Sequence, residues 1–443
     1  MPVNVDHDGV AMHRLTTLPG SVSISHWKNL LALGYIAVSA APALYLPPVI
    51  LVAMVGLAML QCIYLESTHA AAPYVGPLLL LLGYAVASAM GSGVGLLQLF
   101  SYDAIRYDAN IFYSTLPLIL LGSGEMTLAR LDKWIGNTAI VGTLAYIVCP
   151  LAGLDLFESH NAAGGFYMIL LAYLVGRAVV DGLRDRFVPL LATMVALLLS
   201  DSRGSVVAVA VAVVLRLSRT RHPRVTLVAV AVIVGALLAG LAVCHQIWVD
   251  NGSIFLYDYS DFGSVADGLS FDEIALGERP GTILHRLFFL YPMAIDLFLQ
   301  SPIFGVGFTR FDDFPVQIQG VAGVLAFNHG PVQHTNLHAH NSYLHIAAET
   351  GIVGLCLLYR FLSGMFRTFK AHADLFAIVE VVLSSLMLAS MTEHRLTTPS
   401  QAAPAFIIVA LLWATVRARR LEAWASPATA AGPTNNITPA PCS

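Results

Sequence analysis

Apolar residues fill most of this chain in long runs, and short polar segments separate one run from the next. Because a bilayer core about 30 Å thick needs roughly 20 apolar residues per helix, the runs divide into about twelve membrane-spanning helices. We place these helices at residues 27–42, 44–65, 74–97, 111–122, 134–152, 162–180, 186–200, 204–217, 225–245, 341–360, 373–391 and 403–417. The pattern therefore predicts an all-α integral membrane protein.

The composition leaves too few charged residues for a soluble surface. Of the 443 residues, 57% are hydrophobic and 11% are charged, against roughly 25% charged residues in ordinary soluble domains. This excludes a soluble enzyme and a disordered scaffold. The net charge of −4 predicts no nucleic-acid partner, because binding to a phosphate backbone needs a clustered basic surface. The five cysteines lack paired spacing, which predicts neither a disulfide framework nor a zinc site.

Basic residues set the predicted sidedness of the chain. With a cytoplasmic N-terminus, most of the 23 lysine and arginine residues fall in cytoplasmic segments, as is typical of membrane proteins. One long external loop then joins helices nine and ten, and it holds ten acidic residues against three arginines. The predicted parts are a cytoplasmic leader (1–26), nine helices (27–245), the external loop (246–340), three helices (341–420) and a disordered cytoplasmic tail (421–443).

The external loop contains one apolar stretch, residues 282–300, with helical spacing. Counting it as a span, or fusing 186–217 into one helix, would move several basic clusters to the external side. We therefore predict an interfacial helix over this stretch, which starts near Pro280 and ends at Ser301 and Pro302.

A polar turn, Ser200–Gly204, separates helices seven and eight and carries Arg203. At a rise of about 1.5 Å per residue from the cytoplasmic end, Arg203 is expected slightly below the outer surface, in a recessed pocket. A guanidinium at this depth is suited to bind a phosphate or diphosphate through paired hydrogen bonds. The alternative is an arginine that snorkels to the interface or pairs with Asp201.

A second arginine, Arg286, is a fixed positive charge on the apolar interfacial stretch. The glycines of Ser-Pro-Ile-Phe-Gly-Val-Gly, residues 301–307, allow the backbone to turn tightly nearby. Arg286 is therefore either an anion-binding group or the partner of one of the acidic residues in the external loop.

A histidine-rich run follows, and it ends in the sequence His-Ala-His-Asn-Ser-Tyr-Leu. Histidine suits the role of general base near neutral pH, so His338 and His340 are candidate catalytic residues, with packing at a helix start as the alternative. Asn341 or Ser342 is a credible N-cap for the next helix. Glu349 lies in the apolar stretch of that helix, where it either orients a catalytic histidine or pairs with an arginine.

The histidines also invite a metal interpretation, since His-x-His can chelate a cation. However, no carboxylate or thiol completes a regular ligand pattern, and the Asp-x-Asp spacing occurs at Asp6 and Asp8, in the predicted leader. We therefore predict no metal and no other cofactor in the mechanism.

Three motifs occur together and in order. They are Ser-Arg-Gly at 202–204, Arg286 followed by Ser-Pro-x-x-Gly-x-Gly at 301–307, and His-x-His-Asn-Ser-Tyr-Leu-x-x-x-x-Glu-x-Gly-x-x-Gly-Leu at 338–355. This combination resembles the O-antigen ligase / polymerase family of bacterial envelope glycosyltransferases over roughly residues 186–360. The third motif is the most specific of the three.

The resemblance implies a GT-C-like helical glycosyltransferase of the bacterial inner membrane, with its site facing the periplasm. Such enzymes take a glycan from an undecaprenyl-diphosphate carrier and pass it to an acceptor hydroxyl. By resemblance, Arg203 and Arg286 would bind the donor diphosphate, and a histidine of the His338/His340 pair would be the base. His340, directly before the asparagine, matches the family motif better, but the doubled His-x-His leaves His338 open.

Two other short-loop external arginines, Arg106 and Arg395, are weaker candidates for binding donor or acceptor phosphates, and Glu349 completes the candidate substrate-binding set. One dominant external loop favours a ligase, which moves finished O-antigen polysaccharide onto lipid A-core. The alternatives are an O-antigen or exopolysaccharide polymerase, a protein O-oligosaccharyltransferase, and a transporter for a lipid-linked glycan. The gathering of polar residues at one face argues against the transporter.

Overall fold

The computed structural model describes residues 24–38, 72–95, 99, 110–121, 126–157, 160–250, 286–311, 338–396 and 399–425. These residues form helices and their connections, and no strand occurs among them. The helices are α1 (Ile24–Val38), α2 (Val75–Gly91), α3 (Asn110–Leu120), α4 (Leu128–Val148), α5 (His160–Asp181), α6 (Phe187–Leu199), α7 (Arg203–Arg221), α8 (Pro223–Asp250), α9 (Tyr291–Gln300), α10 (Ser342–Phe369), α11 (Ala373–Ala389) and α12 (Pro399–Ala425). The predicted all-helical class is confirmed over these residues.

Several described helices are long and apolar enough to cross a membrane. They are the five helical stretches Leu128–Ala152, His160–Asp181, Pro223–Gln246, Ser342–Phe369 and Gln401–Arg420. This confirms the membrane-helix character of the chain, while the total number of spans, the sidedness and the predicted parts stay predictions. The predicted second span (44–65), Pro280 and Arg106 lie outside the described residues.

The ends of the described helices exclude the fused helix, while the interfacial placement of residues 282–300 stays a prediction. Helices α6 and α7 are separate, with the turn Ser200–Ser202 between them, so 186–217 is not one helix. Helix α9 has 10 residues, about half of what a bilayer core requires. A π-helical turn, Arg286–Leu290, precedes it, and Ser301 is its C-cap, as the sequence predicted.

Helix α5 lies inside the described bundle. Every residue from Ala162 to Leu174 is buried, and the helix packs against α6, α7, α11 and α12. Small residues permit this close packing: a Cβ added at Gly176 would lie 2.8 Å from the Cα of Ile378 on α11. Helix α8 shows the opposite pattern, since none of its most apolar stretch is buried. Its apolar surface is therefore available to lipid.

Helix α10 is interrupted at Gly351, whose backbone is non-helical (φ 63°, ψ −163°). The segment Pro302–Gly307 lies against this interruption and hydrogen-bonds with its backbone. Four bonds of 2.9 to 3.2 Å join the two, running from the amides of Ile352, Val353, Val306 and Gly307 to the carbonyls of Pro302, Ile303, Ala348 and Glu349 respectively. A broken helix is tolerated at membrane depth when its backbone groups are satisfied by buried protein in this way.

The close approach requires glycine at 305. Its φ is 77°, and an added Cβ would overlap the backbone of Glu349. We expect Gly305→Ala to lower the stability of the protein by roughly 1–3 kcal/mol, measured as a lower Tm in detergent. Gly235→Ala is the control, because a Cβ there would meet nothing within 4 Å. An unchanged Tm for Gly305→Ala would contradict this packing.

Candidate functional site

The predicted motifs meet at the loop Ser390–Leu396, between α11 and α12, which we call the central loop. The start of α10 is bonded to it through Ser342. The Ser342 amide donates to the carbonyl of Ser390 at 2.9 Å. The Ser342 hydroxyl donates to the carbonyl of Glu393 at 3.3 Å and accepts from the amide of Leu396 at 3.2 Å. The third motif and the central loop therefore form one hydrogen-bonded unit.

Asn341 is the N-cap of α10, as predicted. Its Oδ1 accepts from the amides of Tyr343 and Leu344 at 3.0 and 3.1 Å, which satisfies backbone donors of the first turn. Its Nδ2 donates to the carbonyl of Met391 at 2.9 Å. His340, directly before it, has a φ of 48°, in the left-handed region that residues other than glycine seldom adopt. The capping contacts of Asn341 thus hold His340 against the central loop.

Glu393 of the central loop joins two of the candidate site residues. Nη1 of Arg286 lies 2.8 Å from Glu393 Oε1, and Nδ1 of His340 lies 3.3 Å from Glu393 Oε2. The same Nη1 also donates to the carbonyl of Thr392 at 2.8 Å. Arg286 is therefore ion-paired, but with the central loop rather than with an acid of the external loop.

The carboxylate of Glu393 is kept ionised by its neighbours. Burial acts to raise the pKa of Glu393, but the hydrogen bond with His340 and the positive charges of Arg286 and Arg395 outweigh it and hold this pKa below its ordinary 4.5. The Arg286 and Glu393 side chains are 16% and 12% exposed, so the pair is largely shielded from solvent. The His340 side chain is 33% exposed and keeps one edge accessible.

Arg203 is the first residue of α7, and its side chain is 90% exposed. Within the described residues, the expectation of a recessed pocket is therefore wrong. Its Nε lies 3.6 Å from Oδ1 of Asp201, which is the pairing named as the alternative. The physical reason is that the turn directs its serines inward, since Ser200 and Ser202 are buried, while both charged side chains point outward.

Arg395 links this turn to the central loop. Its side chain is among the most buried of the described residues, and burial lowers the pKa of Arg395 to about 10. Nη2 donates to the hydroxyl of Ser202 at 3.2 Å, and Nη1 donates to Oε1 of Gln401 at 2.6 Å and to the carbonyl of Asn161 at 3.1 Å. These contacts hold the Arg395 guanidinium among protein groups, and the substrate-binding role considered from the sequence stays a prediction.

His338 has different surroundings from His340. Its ring stacks on that of His394, with centroids 4.3 Å apart and 13° between the planes. His345 packs edge-on to both rings, and its Nε2 lies 3.5 Å from Oε2 of the fully buried Glu349. Glu349 therefore contacts His345, which is neither candidate base, and its predicted role in the site stays a prediction.

Glu393 and His394 were not among the site residues predicted from the sequence. Both belong to Thr-Glu-His-Arg, residues 392–395, a polar run between two apolar helices in a chain that is 11% charged. That local density is the signal that would have identified the central loop as part of the site. The partners could not be assigned in the same way, because Glu393 is 53 residues from His340 along the chain.

Together these features define a helical membrane protein with a shielded arginine–carboxylate–histidine group where three motifs meet. Residues 188–359 match the family model described as O-antigen ligase. The resemblance predicted from the motifs is thus confirmed, and the chain is O-antigen ligase-like over this segment. The match indicates a membrane glycosyltransferase-like enzyme of the ligase or polymerase type. It includes Arg203, Arg286 and His340 and ends before Glu393. No curated protein matches the chain.

Proposed function

We propose that the protein is a GT-C-like glycosyltransferase that moves O-antigen polysaccharide from undecaprenyl diphosphate to a hydroxyl of lipid A-core. The reaction takes place at the periplasmic face of the bacterial inner membrane and inverts the configuration at the anomeric carbon. The observation that supports this best is that Arg286 and His340, a candidate diphosphate ligand and a candidate base, contact the two oxygens of one carboxylate. The family match over 188–359 supports the same class of chemistry.

Arg203 and Arg286 form the proposed diphosphate clamp. A Cβ added at Gly204, next to Arg203, would lie 3.2 Å from Oγ1 of Thr392, and the carbonyl of Thr392 accepts from Arg286. Gly204 and Arg286 therefore both lie beside Thr392, and Arg203 is the residue before Gly204. When the bond between the anomeric carbon and the diphosphate breaks, negative charge develops on the leaving oxygen. Prepositioned guanidinium groups stabilise that charge without a metal ion on the diphosphate.

His340 is the proposed general base, and Glu393 orients it. With its Nδ1 proton donated to Glu393, the imidazole presents the Nε2 lone pair to the acceptor hydroxyl. The acceptor oxygen attacks the anomeric carbon from the side opposite the diphosphate, its proton passes to Nε2, and the diphosphate leaves with the bonding electrons. His338 is less suited to this role, because its ring is stacked against His394.

Transfer by the purified protein tests the proposal. The donor is an undecaprenyl-diphosphate-linked glycan, the acceptor is rough lipopolysaccharide, and the buffer contains no added divalent cation. We expect laddered lipopolysaccharide to form while undecaprenyl diphosphate is released. Lengthening of the carrier-linked glycan with unmodified lipopolysaccharide would instead identify a polymerase, and a glycosylated protein would identify an oligosaccharyltransferase. Glycan movement across vesicles without transfer would identify a transporter.

Arg203→Ala tests the exposed half of the clamp. We expect a roughly tenfold to hundredfold higher KM for the donor, the size of effect expected when a charge-assisted contact is removed. Arg221→Ala is a matched control, since Arg221 is an exposed arginine at the other end of the same helix. Equal donor KM values for the two variants would remove Arg203 from the clamp.

A further inference from the structure

Three imidazoles from three separate segments form a cluster beside the proposed base. His338 precedes α10, His345 lies in its first turns, and His394 belongs to the central loop. Each offers a ring nitrogen, and these three nitrogens all lie within 4.8 Å of one another. A tetrahedral zinc site has Zn–N distances of about 2.0–2.1 Å and hence nitrogens roughly 3.4 Å apart. Because an imidazole lone pair lies in the ring plane, closing the cluster onto one cation requires shifts of about 1 Å together with rotation of the His338 and His394 rings out of their stacked arrangement. The spacing therefore satisfies the first requirement of a metal site.

A second observation concerns the carboxylate behind the cluster. Oε2 of Glu349 lies 3.5 Å from Nε2 of His345, and both side chains are almost fully buried. The backbone amide of Phe311 donates to Oε1 of Glu349 at 3.3 Å, which fixes the carboxylate. Metal-bound histidines commonly direct their second ring nitrogen at a carboxylate in this arrangement, which orients the ring and makes it a stronger ligand. Glu349 is therefore placed to orient the His345 ring within the cluster.

We propose that His338, His345 and His394 bind one divalent transition metal ion of the class that prefers imidazole ligands, Zn²⁺ in the first place. Nitrogen ligands in a water-poor site favour such a cation over Mg²⁺ or Ca²⁺, which prefer oxygen. The bound ion cross-links the segment before α10 to the central loop and so holds His340 next to Glu393. It is separate from the arginine clamp, and the proposal does not depend on the transferase activity.

Metal binding by the whole protein, with affinity tags removed, is the test. After dialysis against a chelator and then metal-free buffer, the protein is titrated with Co²⁺ and the visible absorption of the bound ion is recorded. Zn²⁺ is then added, and metal per chain is measured by mass spectrometry. We expect about one equivalent to bind, with Zn²⁺ displacing Co²⁺.

Variants locate the site. We expect His394→Ala and His345→Ala to lose the Co²⁺ spectrum, and Glu349→Gln to weaken binding by roughly 10- to 100-fold, as is usual when the carboxylate behind a ligand is removed. His372→Ala, in the turn between α10 and α11, is the control and should bind like wild type. A wild-type protein that neither keeps nor takes up metal overturns the proposal whether or not the variants fold. Equal binding by wild type, His394→Ala and His345→Ala would also overturn it, because the ion would then be adventitious.

The result is distinguishable from failure of the proposed function. Glycan transfer by a protein that binds no metal would reject the metal site and leave the transferase standing. Stoichiometric metal binding by a protein that transfers no glycan would support the metal site and reject the proposed transferase function.

Discussion

Replacing His340 with alanine is expected to lower the turnover number for glycan transfer by roughly 10²–10⁴-fold, the usual contribution of a positioned general base. Without the imidazole, no group beside Glu393 takes the proton of the acceptor hydroxyl as the new bond forms. The donor KM should change little, because Arg203 and Arg286 are intact. The measurement is kcat at saturating donor, normalised to folded protein.

A histidine remote from the site provides the control for this experiment. His222 is the exposed C-cap residue of α7, at the far end from Arg203. We expect His222→Ala to keep the wild-type kcat. Full turnover in His340→Ala combined with its loss in His338→Ala, at equal thermal stability, would reverse the assignment and make His338 the base.

The helices of the described bundle could be predicted because each obeys one strong physical constraint. An apolar run must be about as long as the bilayer is thick, and this places the starts of α5, α8 and α10 within two residues of their observed positions. Helix α4 begins six residues before its predicted start, and α10 ends nine residues beyond its predicted end. Length alone does not separate α9, with 10 residues, from α3 and α6, with 11 and 13 residues, so its predicted interfacial placement depends on the distribution of basic residues. Such local constraints act along the chain and need no knowledge of the neighbours.

The interruption of helix α10 could not be predicted from the apolar pattern. Its glycines were visible as part of a motif, but the apolar pattern runs through Gly351 without a change. The interruption arises because the segment Pro302–Gly307, distant in sequence, supplies alternative hydrogen bonds to the α10 backbone. Whether a glycine bends a helix or merely packs in it depends on such partners, and the pattern of one segment does not contain them.

Depth in the membrane and enclosure are likewise different properties. The polar turn between two apolar runs placed Arg203 near a helix end, and it is the first residue of α7. Its depth, predicted from the rise per residue, stays a prediction. Whether the Arg203 side chain is enclosed by protein depends on which side of the turn faces the helix bundle. Ser202 faces inward, where it accepts from the buried Arg395, and Arg203 consequently points away. A residue count along one helix predicts the depth of a residue in the membrane, but it does not predict whether the side chain is enclosed by protein.

Breaking the Arg286–Glu393 pair is expected to lower kcat/KM for the donor by about 10²–10³-fold, whichever partner is replaced. Arg286→Ala removes a guanidinium from the diphosphate clamp and leaves the carboxylate of Glu393 poorly compensated. Glu393→Gln leaves Arg286 without its counter-ion and weakens the hydrogen bond that orients His340. Because each change disturbs the same unit, the double variant should lose much less than the product of the two single losses.

The chain offers a control pair away from the central loop, with Arg216 in the second half of α7 and Glu380 in the middle of α11. Nη1 of Arg216 lies 2.7 Å from Oε2 of Glu380, with side chains 17% and 8% exposed, values close to those of the Arg286–Glu393 pair. Arg216 lies about 20 Å along α7 from Arg203. Arg216→Ala should therefore leave kcat/KM near the wild-type value and lower Tm slightly, because Nη1 of Arg219 still lies 2.8 Å from Oε1 of Glu380. If the Arg286→Ala and Glu393→Gln losses multiply, or if both variants lose only stability as Arg216→Ala does, the pair is structural and the proposed coupling between diphosphate clamp and base is wrong.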